Sequence, residues 1–459
     1  MRTVFIEVPS TASDIDAAPA SLSNVVAGLT QQVSQNSATI QQMLISQAQA
    51  ADLLRGALAA LQKPHSQIWN RVLAMCIGRK SYDDPAWQTS VAKCGAVIIG
   101  VYRGWRGDVN GSKLRPVLQQ LKSLNPNILI GQYTIITECP NDPALPANAS
   151  RLDEIARLTA NNEWVKTAAG APVQYTKDYG AFDVNFTEFT KPDADGLRYA
   201  QWLARRDYAM RFGPCPELDI WYFDNFMWRS RETTPANWRL DGKDVNANAD
   251  FSMQQAWRRG LVSHLAEAER LAPNVIKMGN TDNDLDTPEY KGVLDAAFLE
   301  GMIGRDWSIE AQKGWDEMMR RYRAVLRNVR DRRLVTFAAT GTPTDYRNFR
   351  YALCSALLED GMFCYGADYA TPPAFDEYGV ALGAPIEEPP TEPFTGEAVW
   401  ARQYRNGMVL VNAGKSVASF HIPSGYSRFS GVQAPDVNNG RPLVGVTLAP
   451  RDGIVLVNS

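Results

Sequence analysis

Leu218-Asp219-Ile220-Trp221-Tyr222-Phe223-Asp224-Asn225-Phe226 is an apolar run closed by a carboxylate. It is too short for a helix of ordinary length, and it is apolar on both alternating faces, as in a strand covered on two sides by a parallel sheet's helices. With a period of two, Ile220, Tyr222 and Asp224 share one face. Three similar runs precede it (Val72–Ile77, Ala96–Tyr102, Asn127–Ile135) and four follow (Asn274–Asn280, Ala296–Met302, Leu334–Thr340, Met362–Asp368). Helical periodicity fills the intervals at 113–124, 150–167, 196–211, 251–272, 308–330 and 344–359, and short helices are expected at 84–93 and 286–293. Eight strands alternating with helices predict an α/β fold, a (β/α)₈ TIM barrel over 64–390. The alternative, an open doubly wound sheet, lacks a GxGxxG after its first strand. The long connection 136–217 reads as an insertion over the barrel mouth with a hairpin near 171–190.

The flanks follow other patterns. Residues 391–459 give short alternating strands at Ala398–Tyr404, Met408–Asn412, Ser419–Ile422, Val444–Leu448 and Ile454–Asn458, with a turn at Asn406-Gly407. This predicts a C-terminal antiparallel β-sandwich. At the other end, residues 11–63 hold Gln, Ser, Ala and Asn with no aromatic residue, and 17–51 carry no charge. Val26, Val33, Ile40, Gln47, Leu54 and Leu61 form one seven-residue column, and Leu22, Leu29, Asn36, Met43, Ala50 and Ala57 another. Such heptads predict an N-terminal coiled-coil helix, a homo-oligomeric stem in which polar Asn36 and Gln47 set the register. The alternative is a single amphipathic helix packed on the barrel. Residues 1–10 contain Thr3-Val4-Phe5-Ile6-Glu7-Val8-Pro9, one strand suited to docking on another protein's sheet.

The 459 residues carry 47 basic and 50 acidic side chains, a net charge of −3, which argues against a nucleic-acid partner. No apolar run approaches the ~18 residues of a membrane span, so no membrane association is expected. Glu7 ends the first apolar stretch, so no secretory signal is expected. Six cysteines form no CxxC, and three histidines give neither a triad nor a metal centre at a strand end, so no metal and no cofactor are predicted. The acid–base chemistry then falls to carboxylates.

Two strands end in one. Asp224 closes the fourth, and Glu300 shares a face with Ala296 and Phe298 on the sixth. A carboxylate at the end of a buried strand is costly unless used or paired. The two strands stand roughly 10 Å apart at the backbone, from which inward-leaning side chains reach the separation of a hydrolytic pair. The competing reading ties each carboxylate to an arginine in a structural network. Substrate-binding candidates at strand ends are Tyr102, Arg103 and Trp105 on the second, Tyr133 on the third, Asn225 and Trp228 after the fourth, Asn280 and Asp282 on the fifth, and Tyr365 and Asp368 on the eighth.

Trp221-Tyr222-Phe223-Asp224-Asn225 resembles the strand-four end of (β/α)₈ glycoside hydrolases, and Phe298-Leu299-Glu300 resembles their later acidic strand end. Asp345 to Tyr365, Asp376-Glu377-Tyr378 and Leu382-Gly383-Ala384-Pro385 resemble that family's approach to and exit from strand eight. Leu448 to Leu456 resembles the closing strand pair of the all-β domain behind amylase-like barrels. The uncharged stem resembles stalks of phage tail and fibre proteins. The resemblance implies a glycoside hydrolase acting on a bacterial surface or extracellular polysaccharide as a phage tail or virion depolymerase. It implies Asp224 as nucleophile or base, Glu300 as general acid, and other tail proteins as partners of the N-terminal segment. A trimer is expected by fibre analogy, with a dimer open. The alternatives are a non-catalytic carbohydrate-receptor-binding protein and a structural virion component on the same scaffold.

Overall fold

The eight apolar runs are eight parallel strands. The structure is a computed structural model, and it describes residues 27–28, 67–79, 81–100, 113–140, 151–175, 177, 180–281, 289, 291–396, 398–443 and 445–459. The chain divides into two units, Met1–Pro64 and His65–Ser459. Of the first, only Ala27 and Gly28 are described, both helical. The expected docking strand and coiled-coil stem therefore lie outside the described residues.

In the second unit the strands are β1 (Leu73–Cys76), β2 (Ala96–Ile99), β3 (Leu129–Ile135), β4 (Glu138–Pro140), β5 (Ala181–Asp183), β6 (Ile220–Asp224), β7 (Ile276–Asn280), β8 (Ala296–Ile303), β9 (Thr336–Ala339) and β10 (Met362–Tyr365). One sheet runs β1-β2-β3-β6-β7-β8-β9-β10. Its neighbours pair in parallel throughout. A parallel bridge between Val72 and Phe363 returns β10 to β1 and closes the barrel.

The alternation read from the sequence sorts the core. Leu73, Met75, Ile98, Ile220, Tyr222, Met278, Ala296, Phe298, Ala338 and Met362 belong to the interior cluster. Their neighbours Trp221, Phe223, Leu299, Phe337 and Phe363 join the helix-facing cluster. Asp224, the last residue of β6, and Glu300, in the C-terminal half of β8, continue the inward parity of their strands toward the end where this barrel class places its chemistry.

Several helices differ from their expected extent. The helix Leu152–Ala160 stops at Asn161-Asn162, where Asn162 is left-handed (φ 54°), and the chain continues as bridges to Pro172 and Val184 instead of helix to 167. The expected 308–330 helix breaks at Gly314 (φ 87°) into Ile309–Lys313 and Trp315–Asn328. Tyr199–Asp207 runs on into a π-helical turn, Tyr208–Phe212. Residues 291–293 form a turn, and most of the expected 286–293 helix is outside the described residues. In the region 171–190, where a hairpin is expected, the Asp183 N–H donates to the Val173 carbonyl at 3.0 Å, and β5 also pairs with β4, with Glu138 across from Asp183.

The C-terminal strands are β11 (Val399–Tyr404), β12 (Gly407–Asn412), β13 (Ala418–His421), β14 (Tyr426–Arg428), β15 (Gly445–Leu448) and β16 (Asp452–Asn458). They form sheets β11-β12-β16-β14 and β13-β15. The β11–β12 turn is Arg405-Asn406, one residue earlier than expected, because Gly407 already pairs with Tyr404. Met408, Leu410, Ile454 and Leu456 face the small sheet's Val446 and Leu448. Val409, Val411 and Val455 join the barrel's own core. Arg350, on the barrel helix Tyr346–Leu357, meets Asp452 at 3.0 Å in this interface. All six cysteines are buried, and none is in a disulfide. Among the described residues no helix is long and apolar enough to cross a membrane.

Candidate active site

Three adjacent strands, β6, β7 and β8, deliver Asp224, Asn280 and Glu300 to the same end of the barrel. The side-chain nitrogen of Asn280 donates to Asp224 Oδ1 at 2.9 Å and to Glu300 Oε2 at 3.0 Å. Those two oxygens are therefore separated by at most the sum of the two bonds, 5.9 Å. One amide nitrogen on the intervening strand thus ties the two carboxylates together. Its own Oδ1 is buried without a hydrogen-bond partner.

Each carboxylate has a tyrosine on its other oxygen. The Tyr133 hydroxyl, from β3, donates to Asp224 Oδ2 at 2.5 Å, and Tyr133 stacks on Tyr222 with centroids 5.8 Å apart. The Tyr369 hydroxyl, beyond β10, donates to Glu300 Oε1 at 3.1 Å. Asp224 Oδ1 also accepts the backbone N–H of Asn225 at 3.0 Å. Asn225 and Tyr369 both hold left-handed backbone, φ 51° and φ 49°. Such conformations cost of order 1 kcal/mol or more in non-glycine residues and gather at sites where surrounding structure enforces them.

Every donor around the pair is neutral. Burial pushes the Asp224 carboxyl up from the usual carboxylate range, opposed by the bonds from Tyr133, Asn280 and Asn225. Burial also raises Glu300, and the nearby Asp224 raises it further. The competing network reading is not what this geometry shows: among the described residues neither carboxylate has an ion-pair partner, whereas other buried acids of the protein do.

A third carboxylate belongs to the neighbourhood. Glu138 opens β4, three residues past the end of β3, and accepts from the Asn225 side chain at 3.4 Å. Burial, with Asp224 nearby, pushes it up to about 7. Glu138 and Tyr369 were not expected from the sequence. A carboxylate just past a strand end was the available signal for Glu138. The sequence candidate at this strand end was Asp368, but β10 ends at Tyr365, and past that point strand alternation no longer says which side chain faces the mouth.

The remaining candidates separate. Tyr133 and Asn280 meet the carboxylates directly, and Asn225 does so through its backbone. Tyr365 faces outward into the core among Phe349, Phe363 and Phe375, and its hydroxyl accepts from Asn348. Asp368 is exposed and accepts the backbone N–H of Ala370, a turn-capping role. Trp228 is buried beneath Arg258, 5.4 Å from the ring centroid. Tyr102, Arg103, Trp105 and Asp282 lie outside the described residues. His264 is fully buried with Nδ1 2.7 Å from the Ala200 carbonyl, and burial lowers it to about 4, a neutral core imidazole. Among the described residues no group of three or more His, Cys, Asp or Glu side chains is placed to hold a metal ion.

Residues 222–408 match the family model described as GHL15, hypothetical glycosyl hydrolase family 15. No curated protein matches the sequence. Similar solved structures include the glycoside hydrolase domain of PelA from Pseudomonas aeruginosa (15% identity, TM-score 0.40, covering 65% of this chain and 96% of that one). The ligand-free cyclic α-maltosyl-(1→6)-maltose hydrolase of Arthrobacter globiformis is similar at 11% identity and TM-score 0.44, covering 85% and 99%. The GH36 α-galactosidase AgaA of Geobacillus stearothermophilus is similar at 9% identity and TM-score 0.41, covering 85% and 55%. The matched family segment contains Asp224, Asn280 and Glu300, and the activity it supports is that of a glycoside hydrolase.

Proposed function

We propose that the chain hydrolyses O-glycosidic bonds of a bacterial surface or extracellular polysaccharide, with Asp224 and Glu300 as the working pair. The observation that carries this reading is the shared Asn280 nitrogen, which holds one oxygen of each carboxylate within 5.9 Å, the sum of 2.9 and 3.0 Å. Carboxyl groups ~5–5.5 Å apart serve retaining glycosidases, whereas ~6.5–9.5 Å leaves room for the water of an inverting one. The spacing favours retention. Asp224, with three donors stabilising its anion, is the nucleophile. Glu300, whose carboxyl is raised by burial and by Asp224, protonates the departing oxygen and then deprotonates the incoming water.

The biological setting is part of the same proposal. A heptad stem that is uncharged over 17–51, behind one short strand, suits a homo-oligomeric virion component that docks on other tail proteins and cuts glycan at the host surface. The test is release of reducing ends from host surface polysaccharide by the purified full-length protein, with the anomer of the first product read by NMR. Release with the anomeric configuration kept, and lost in Asp224→Asn, is expected. Release undiminished in Asp224→Asn overturns the assignment, and inversion overturns the mechanism.

A further inference from the structure

The loop that follows Glu300 is built around an exposed tryptophan. Trp307 is 53% exposed. It is also held in place. Its six-membered ring lies where a side chain on Gly301 would be: a Cβ there would come within 2.0 Å of Cζ3 and 2.7 Å of Cη2. Gly301 is left-handed (φ 73°) and falls where the β8–β9 register shifts between Leu299 and Ile303. The residue after Glu300 is thus a glycine at a bulge, and the indole lies against its backbone.

The rest of the loop fixes that placement. Gly304 (φ 96°) passes so close to the Thr340 carbonyl that any Cβ would meet it at 1.9 Å. Arg305 donates to Thr340 Oγ1 at 3.1 Å. The Ser308 N–H closes a turn on the Arg305 carbonyl at 3.0 Å, and its side chain caps the helix Ile309–Lys313. Arg305 is near enough to Glu300 and Tyr369 to act on both carboxyl and phenol electrostatically, so the loop folds back along the mouth.

From this geometry we propose that Trp307 is a sugar-stacking platform, a subsite that receives the apolar face of a pyranose ring of the substrate chain next to the scissile bond. The inference rests on the hydrolase reading for its choice of occupant. The physical basis is general. A rigid indole presents a wide apolar face without the entropy loss of a flexible side chain, and a pyranose offers a matching patch of C–H groups. A packed ring held against the backbone of the residue after Glu300 is pre-organised for that contact.

The test uses binding as well as turnover. Defined oligosaccharides of four to eight units, including fragments of bacterial exopolysaccharides, are titrated by calorimetry into full-length Asp224→Asn protein and into the same protein carrying Trp307→Ala or Trp307→Phe. Roughly tenfold weaker binding in Trp307→Ala is expected, with Trp307→Phe in between. Circular dichroism confirms that the variants are folded, as expected for a half-exposed side chain. If no oligosaccharide binds the parent more tightly than Trp307→Ala, the platform is overturned. Trp307-dependent binding without bond cleavage by the unsubstituted protein keeps the platform and removes the hydrolase. Cleavage with KM unchanged in Trp307→Ala removes the platform and keeps the hydrolase.

Discussion

Two sets of acids stand within one barrel unit and are held in opposite ways. Away from the mouth, Glu154, Glu163 and Asp452 each meet a guanidinium. Glu154 is fully buried with Arg151 at 3.0 Å, Arg206 at 3.7 Å and the Tyr199 hydroxyl at 2.7 Å. Glu163 takes both ends of Arg157 at 3.1 Å, and Asp452 meets Arg350. At the mouth, Asp224 and Glu300 are held by a carboxamide, two phenols and a backbone N–H. An acid locked to a permanent cation is committed to holding elements together. An acid held by neutral donors keeps its geometry and remains able to give and take a proton. For these acids the partner, a cation or a neutral donor, separates architecture from chemistry.

The largest effect that tests this contrast is on turnover. Asp224→Asn is expected to lower polysaccharide hydrolysis by about 10⁴-fold while leaving the urea midpoint at pH 7 at or above that of the parent, because a desolvated charge is removed. Activity lost together with folding would place Asp224 among the structural acids. Glu300→Gln should cost ~10²–10⁴-fold on natural glycan and less on substrates with activated leaving groups, which need less protonation. Equal losses on both substrate types would mean that Glu300 holds the sugar without protonating the leaving oxygen.

On the other side of the contrast, Arg350→Met leaves Asp452 buried without its cation. Loss of one partner of a buried pair costs about 3–5 kcal/mol, and most should return in Arg350→Met/Asp452→Leu. Urea unfolding reads the loss, and the folded fraction should retain its specific activity. The smallest effect is a slope. Glu138 rises from 4.5 to about 7 in the folded protein, so the native state binds more protons than the unfolded chain across that window. Stability therefore falls as pH climbs through it, and Glu138→Gln should flatten this part of the stability–pH curve. An unchanged slope would show that the Glu138 carboxyl is not raised by its surroundings.

Eight strands were legible because a parallel barrel strand is apolar on both faces, and that pattern survives in sequence without any contact information. Parity then carried Asp224 and Glu300 to the interior. What parity cannot register is a departure from the strand. Tyr369 reaches Glu300 through a left-handed turn, and Glu138 reaches Asn225 by opening a strand whose partner, Ala181–Asp183, lies far along the chain. Asn280 was read as a sugar-binding group, and its bridging role depends on the order β6-β7-β8 placing it between the acids. Tyr426-Ser427-Arg428 escaped as a strand because three residues with two polar ones carry no usable alternation. The heptad stem rests on the sequence pattern alone.

The six buried thiols have a practical consequence. They are distributed over β1, the approach to β2, β4, the turn before β6, the helix Tyr346–Leu357 and β10. Burial pushes the thiols of Cys76, Cys94, Cys139 and Cys354 upward, and that of Cys364 up to about 12. Alkylating reagents need an accessible thiolate, so the folded barrel should resist them. Each cysteine becomes labelled only when its own element opens. Pulse alkylation followed by peptide mass analysis would therefore time the opening of the barrel strand by strand, with no introduced probe and no substitution near the site.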